Sequence, residues 1–131
     1  MDYLKALRFL RDRAGYDRGF VANPFADEGI GLQRTAWLCA ALGNPQQHYR
    51  SVHIAGTKGK GSTAAMLAAV LHTAGYRVGL YTSPHLHTLR ERIQIDNQPI
   101  APETFGVLMA ELAAVDAALQ AERPAWGSAT S

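Results

Sequence analysis

Cys39 is the sequence's only cysteine, so no internal disulfide can form. Lying in a helical pattern, it reads as a small apolar core residue. Charge is scarce as well: 18% of residues are charged and the formal net charge is +2. With no long Lys/Arg cluster, that balance argues against a nucleic-acid partner. A carboxylate closing a fully apolar strand, the usual magnesium holder of a nucleotide site, is not found. The one candidate, Asp96, follows the alternating Arg90-Glu91-Arg92-Ile93-Gln94-Ile95 and falls in a turn, so it is rejected as a metal ligand. The longest uncharged stretch, Gly61 to Tyr76, is too short and too polar at its ends to span a bilayer. Met1-Asp2-Tyr3-Leu4-Lys5 does not read as a signal peptide. The expectation is a cytoplasmic chain with neither a membrane nor a nucleic-acid partner.

What is present is enough for a core: 131 residues, 47% of them apolar. Tyr3, Leu4, Leu7 and Leu10 recur at helical spacing and predict a helix over 2–13. Residues 15–31 hold four glycines and little periodicity and read as a long loop. A second helix is expected from Leu32 to Leu42, closed by Gly43-Asn44-Pro45. Residues 51–55 read as a strand and 63–74 as a helix, with Met66, Leu67, Val70 and Leu71 on one face and alanines opposite. Small residues there predict a buried helix. Arg77 to Thr82 reads as the next strand, so 51–82 is expected to be a βαβ crossover with parallel strands. Arg90–Ile95 reads as a strand with one wet face, Asp96-Asn97-Gln98 as a turn and Pro99-Ile100 as a short return. A third long helix opens at Ala101-Pro102-Glu103 and presents Phe105, Leu108, Met109, Leu112, Val115 and Leu119.

The chemistry concentrates at Gly56-Thr57-Lys58-Gly59-Lys60-Gly61-Ser62, between the first expected strand and the helix. Glycines let backbone N–H groups turn inward on an anion, and the helix start adds the positive end of its dipole. Lys60 would supply a point charge to the outer phosphates, and Ser62 or Thr63 a hydroxyl near magnesium. The loop is a shortened variant of the G-x-x-x-x-G-K-[ST] pattern, since Ile54 stands where the first glycine would fall and Gly61 follows the lysine. The bland alternative is a flexible turn, but position and composition agree on a phosphate cradle. His85 and His87 form an H-x-H pair without a supporting cysteine or acid, a poor zinc site. His53 reads as structural. Glu91 is divided between a solvated strand face and a substrate role.

From about Gly31 to Leu119 the chain resembles the folylpolyglutamate synthase / dihydrofolate synthase family of the Mur ligase group. The resemblance is carried by His53 to Ser62, by Gly75-Tyr76-Arg77-Val78-Gly79-Leu80-Tyr81-Thr82-Ser83-Pro84-His85-Leu86, and by Glu91-Arg92-Ile93. It implies an α/β fold, a P-loop-containing parallel-sheet domain of the Mur ligase central ATPase type, incomplete and preceded by helices. The expected divisions are 1–50, helical segment and substrate loop; 51–120, partial ATP-binding domain; and 121–131, a disordered tail. By resemblance, the substrates are ATP, L-glutamate and a folate or dihydropteroate, whose carboxylate passes through an acyl phosphate, with Mg2+ as cofactor. Gly56, Thr57, Lys58, Gly59, Lys60, Gly61, Ser62 and Thr63 would hold ATP, with Lys60 against the developing charge. Ser83 and Ser62 would serve magnesium; Ile30, Gly31, Leu32, Ser83, Pro84, His85 and Leu86 would lie near the pterin.

Two departures stand out. Lys58 takes a position where the family usually has asparagine, and family members are much longer. The expectation is an N-terminal portion of a monomeric enzyme, truncated or frame-shifted near Glu122 and inactive alone. A ligase of cell-wall peptides is disfavoured by Gly61 and by Ser83-Pro84-His85-Leu86. A different P-loop ATPase or kinase and a non-catalytic nucleotide-binding fragment remain as alternatives.

Overall fold

The computed structural model describes residues 1–13 and 30–123. The long loop expected over 15–31 therefore lies almost wholly outside the described residues, as does the tail from Pro124. Two compact units divide the chain, one comprising Met1–Arg50 with Gly106–Ser131 and the other Ser51–Phe105.

In the first unit, α1 (Tyr3–Arg13) opens on Asp2, whose carboxylate accepts the Lys5 N–H at 2.8 Å. The same bond lowers the Asp2 carboxyl below its ordinary value, and the Lys5 charge adds to it. Ala6 is fully buried while Leu4 faces out, so the inward stripe is Tyr3, Ala6, Leu7 and Leu10 rather than the four large residues the sequence singles out. Helix α2 (Ile30–Ala41) starts two residues earlier than expected. It ends at Gly43 and Asn44, both at positive φ, with the Asn44 N–H bonded to the Cys39 carbonyl at 2.6 Å. Cys39 is half-buried and free.

Helix α4 (Pro102–Glu122) runs across the boundary of the two units and reaches two residues into the expected tail. It buries Phe105, Asp116 and Leu119, whereas Leu108 is exposed. The buried stripe therefore includes an acid that the apolar pattern passes over, and the Asp116 carboxylate accepts from Gln120 Nε2 at 2.9 Å. A Cβ at Gly106 would collide with the Met1 carbonyl, so chain start and helix meet there backbone to backbone. By length and composition α4 could cross a membrane, with a mean hydropathy of 1.3. A fully buried Asp116 is the mark of a protein core rather than of a lipid-facing surface.

The second unit corrects the expected βαβ crossover. Residues 51–55 are extended but join no sheet among the described residues, and Val52 is 69% exposed. Strand β1 (Gly79–Tyr81) pairs antiparallel with β2 (Ile93–Ile95), which pairs antiparallel with β3 (Gln98–Pro99). The reason is proximity along the chain. Asp96 and Asn97, at φ 50° and 63°, make a two-residue turn of the primed kind that returns β3 on β2. Leu80 faces Gln94 in the β1–β2 register. The expected strand over Arg90–Ile95 is half 3-10 turn, Leu89–Arg92, and strand only from Ile93.

Helix α3 (Lys60–Thr73) packs against β1. Its inward stripe is Ala64, Leu67, Ala68 and Leu71, spaced three and four residues apart, while Met66 and Val70 are each 64% exposed. The helix is thus half-buried, not buried all round. Gly75 caps it as expected, with the Tyr76 N–H bonded to the Leu71 carbonyl at 3.1 Å.

Asp96 ties this unit together: its Oδ1 accepts the Val78 N–H at 2.8 Å and lies 3.4 Å from His72 Nδ1. Asp96→Ala should cost about 2 kcal/mol, because an unpaired amide and a left-handed alanine are both left behind. Asn97→Gly should be neutral or mildly stabilising, since the turn favours glycine there. Urea midpoints of the two variants check this; equal losses would contradict the turn assignment.

Candidate functional site: a phosphate loop and a clamped Ser-Pro-His-Leu loop

The turn before α3 folds as a phosphate cradle requires. Gly59 sits at the N-cap with φ 76°, a backbone shape that an L side chain adopts only with strain. Gly56, at φ 153°, opens the turn. Thr63 is the first residue whose N–H finds a helical partner, the Gly59 carbonyl at 2.9 Å. None of the amides from Gly56 to Ser62 donates to a backbone carbonyl among the described residues. A row of amides without backbone partners at a helix start is an arrangement that can hold an anion. Every residue from Gly56 to Thr63 is exposed, so the row is open to a ligand. Lys60 Nζ folds back onto the Gly56 carbonyl, which closes the turn and holds the ammonium over it. Lys58 is exposed beside it, and His53 is exposed on the extended segment before it.

The second loop leaves β1 at Thr82 and runs through Ser83, Pro84, His85 and Leu86, with a cis bond between Ser83 and Pro84. Its organiser is Glu91. Carboxylate Oε2 accepts the Leu86 N–H at 2.9 Å, while Oε1 accepts those of His87 at 3.0 Å and Thr88 at 2.7 Å. Three consecutive amides thus converge on one carboxylate. From the other side, Arg92 Nε donates to His85 Nδ1 at 2.8 Å. Arg90 Nη1 reaches the Ile100 carbonyl at 2.9 Å, tying the same turn to the end of the hairpin. Leu86 is 86% exposed, an apolar side chain held outward at the loop's tip.

Glu91 is no wet strand face: it lies in the Leu89–Arg92 turn, and its carboxylate is engaged by the loop. The signal for it was present as Thr88-Leu89-Arg90-Glu91, the spacing of a capping box, in which the acid reaches back to the amide three residues before it. The pairing of Arg92 with His85 left no such local trace.

Both loops belong to the Ser51–Phe105 unit, one opening α3 and the other leaving the strand that packs on α3. Ile30, Gly31 and Leu32 form the first turn of α2, in the other unit. A hollow against Ala69, Val70, Thr73 and Ala74 lies at the far end of α3 from the phosphate loop. Among the described residues, no three His, Cys, Asp or Glu side chains cluster as a metal site. For magnesium the two loops offer the hydroxyls of Ser62, Thr63 and Ser83. That set suits an ion held chiefly by phosphate oxygens and water, not a protein cage.

Comparison with known proteins fits this geometry. No family model matches the chain. Over 82 residues it is 44% identical to the dihydrofolate synthase/folylpolyglutamate synthase of Bacillus subtilis, covering 63% of this chain and 19% of that protein. Folylpolyglutamate synthetase from Lactobacillus casei superposes with a TM-score of 0.78 at 34% identity, over 96% of this chain and 29% of the other. This chain belongs to the folylpolyglutamate synthase/dihydrofolate synthase family, which is of the Mur ligase type. A further family structure, a complex with AMPPCP and folate, superposes at 0.79 and 33% identity over 98% of this chain and 29% of that one. The chain thus spans less than a third of the length of the relatives it matches. Family structures support an α/β fold of the Mur ligase kind, within which the described strands here are the antiparallel trio.

Hydrogen bonds from Leu86 first, then from Thr88 and His87, hold the Glu91 carboxyl below its ordinary value of 4.5. A depressed folded-state value means that the carboxylate's contribution is fully present above 4.5 and is lost as pH falls through the lower folded value. Amide exchange followed by NMR should therefore show Leu86, His87 and Thr88 protected from neutral pH down to 4.5, and released only below it. Glu91→Ala should abolish that protection at every pH.

Proposed function

We propose that this chain supplies the phosphate-binding and acid-binding loops of an ATP-dependent ligase that joins L-glutamate to the carboxylate of a folate or dihydropteroate. The observation that carries the reading is the open row of unpaired amides from Gly56 to Ser62 at the head of α3, with Lys60 folded over it. Relatives named for the synthesis of folylpolyglutamate and dihydrofolate, and a family complex with AMPPCP and folate, support the choice of substrates.

The chemistry sets the tasks. A carboxylate is a poor electrophile, so one of its oxygens first attacks the γ-phosphorus of ATP and ADP leaves. The glutamate amine then attacks the acyl carbon of the resulting acyl phosphate, forming the amide and releasing phosphate. Such transfers need positioning and charge neutralisation more than covalent help. In this reading Gly56 to Thr63 cradle the phosphates, and Lys60 leaves the Gly56 carbonyl to meet the charge that develops on the transferred group. The hydroxyls of Ser62 and Ser83 would help to hold magnesium, which would offset phosphate charge. Ser83 to Leu86 receive the pterin acid. The enzyme is proposed to be monomeric and cytoplasmic.

A second reading is a nucleotide-binding piece without turnover. The absence of a carboxylate cluster among the described residues favours it for the chain taken alone.

Calorimetric titration with AMPPCP and magnesium tests the cradle. Lys60→Ala should weaken binding by about tenfold or more, as loss of a charged contact does. Lys58→Asn should weaken it by less than about threefold, because a solvated charge contributes little. No binding by the wild-type chain would remove the proposal. Glutamate-dependent ADP release would decide between the ligase and the binding piece.

A further inference from the structure

The side chains that grip the Ser83–Thr88 loop are not random surface charges. Glu91 takes three successive amides of that loop, and Arg92 takes its imidazole. The guanidinium Nε can only donate, so the ring atom facing it at 2.8 Å must be a nitrogen without a hydrogen. A neutral imidazole whose Nδ1 accepts carries its hydrogen on Nε2. Both clamping residues come from the same turn, Leu89–Arg92, and that turn is anchored by Arg90 on the carbonyl of buried Ile100.

We propose that Glu91 and Arg92 are positioning residues for the acid substrate: Glu91 fixes the loop backbone, and Arg92 fixes His85 as an Nε2–H donor offered to an oxygen of that substrate. The assignment rests on the functional reading above and deepens it, since it gives His85 a definite hydrogen-bonding role. The two grips are complementary. The backbone clamp sets where the ring stands, and the guanidinium sets which nitrogen carries the hydrogen. Without Arg92 both tautomers become available, and a share of the rings would present a lone pair where a donor is needed. A preset donor also spares the substrate the cost of ordering the loop on binding.

The test begins on the unliganded full chain. Long-range proton–nitrogen correlation spectra of His85 should show Nε2 carrying the hydrogen and Nδ1 without one. Arg92→Met should give a tautomer mixture, with helix content unchanged by circular dichroism. Glu91→Gln keeps one acceptor oxygen and turns an NH2 toward a backbone donor, so at least one of the Leu86, His87 and Thr88 amides should lose protection.

Titration with dihydropteroate and with folate forms the second arm. His85→Phe should weaken acid binding by about tenfold, the value of a lost hydrogen bond left unpaired, and Arg92→Met by about twofold, the cost of having only part of the rings in the donor tautomer. The double variant should be no weaker than His85→Phe alone, because the arginine acts through the histidine. AMPPCP affinity should stay within about twofold of wild type throughout, a margin below the loss expected for a direct contact. An Nδ1–H tautomer in the wild-type chain overturns the proposal, as do additive losses in the double variant or unchanged acid affinity in both single ones. A chain that binds AMPPCP but neither acid defeats the choice of substrate. The tautomer then decides the clamp by itself, Nε2–H lost in Arg92→Met upholding it and Nδ1–H ending it.

Discussion

Three backbone amides converging on the carboxylate of Glu91 are the constraint on which the rest of the second unit depends. An irregular loop has no ladder to satisfy its N–H groups, and each one turned away from water needs a partner. Glu91 supplies three acceptor contacts at once, for Leu86, His87 and Thr88. Charge makes these bonds stronger than neutral ones. The geometry then propagates along the chain. The turn that carries Glu91 runs straight into β2, and the Arg92 carbonyl accepts the Thr82 N–H at 3.0 Å, at the point where the loop leaves β1. Loop and sheet are therefore fixed by the same few residues.

The phosphate loop follows the opposite logic. Here the amides from Gly56 to Ser62 are left without backbone partners and stand open to water. Water satisfies them in the free chain, and an anion can replace it with little rearrangement, because the helix behind them is already formed. Lys60 resting on the Gly56 carbonyl is consistent with a side chain that has a nearby position to move from. One loop is thus locked by an internal acid, whereas the other keeps its donors for an external one.

In the proposed reading the two loops divide the work of the ligase, one suited to phosphate and the other to the acid to be activated. Among the described residues, the two loops offer a divalent cation the hydroxyls of Ser62, Thr63 and Ser83. Most of the ion's charge compensation would accordingly come from phosphate oxygens. The match to family structures over 98% of this chain but 29% of theirs is in keeping with that division of labour.

Local chemistry explains what was legible in the residues alone. Gly43-Asn44 and Gly75 end helices because few other residues accept a positive φ, and Asp96-Asn97 turn a hairpin for the same reason. The order of apolar segment, glycine-rich turn, lysine and helix start was legible too, since each part falls within ten residues. Helix faces were read less well. Met66, Val70, Leu4 and Leu108 are apolar yet exposed, while Ala6, Ala68 and Asp116 are buried. Hydrophobicity says which residues can be inside, but only the neighbours decide which stripe turns inward. The tertiary structure also chose the antiparallel partner of β1, because strand pairing depends on which segment reaches an edge first. Likewise it alone joined Arg92 to His85, seven residues away across an irregular loop, where no periodicity foretells contact.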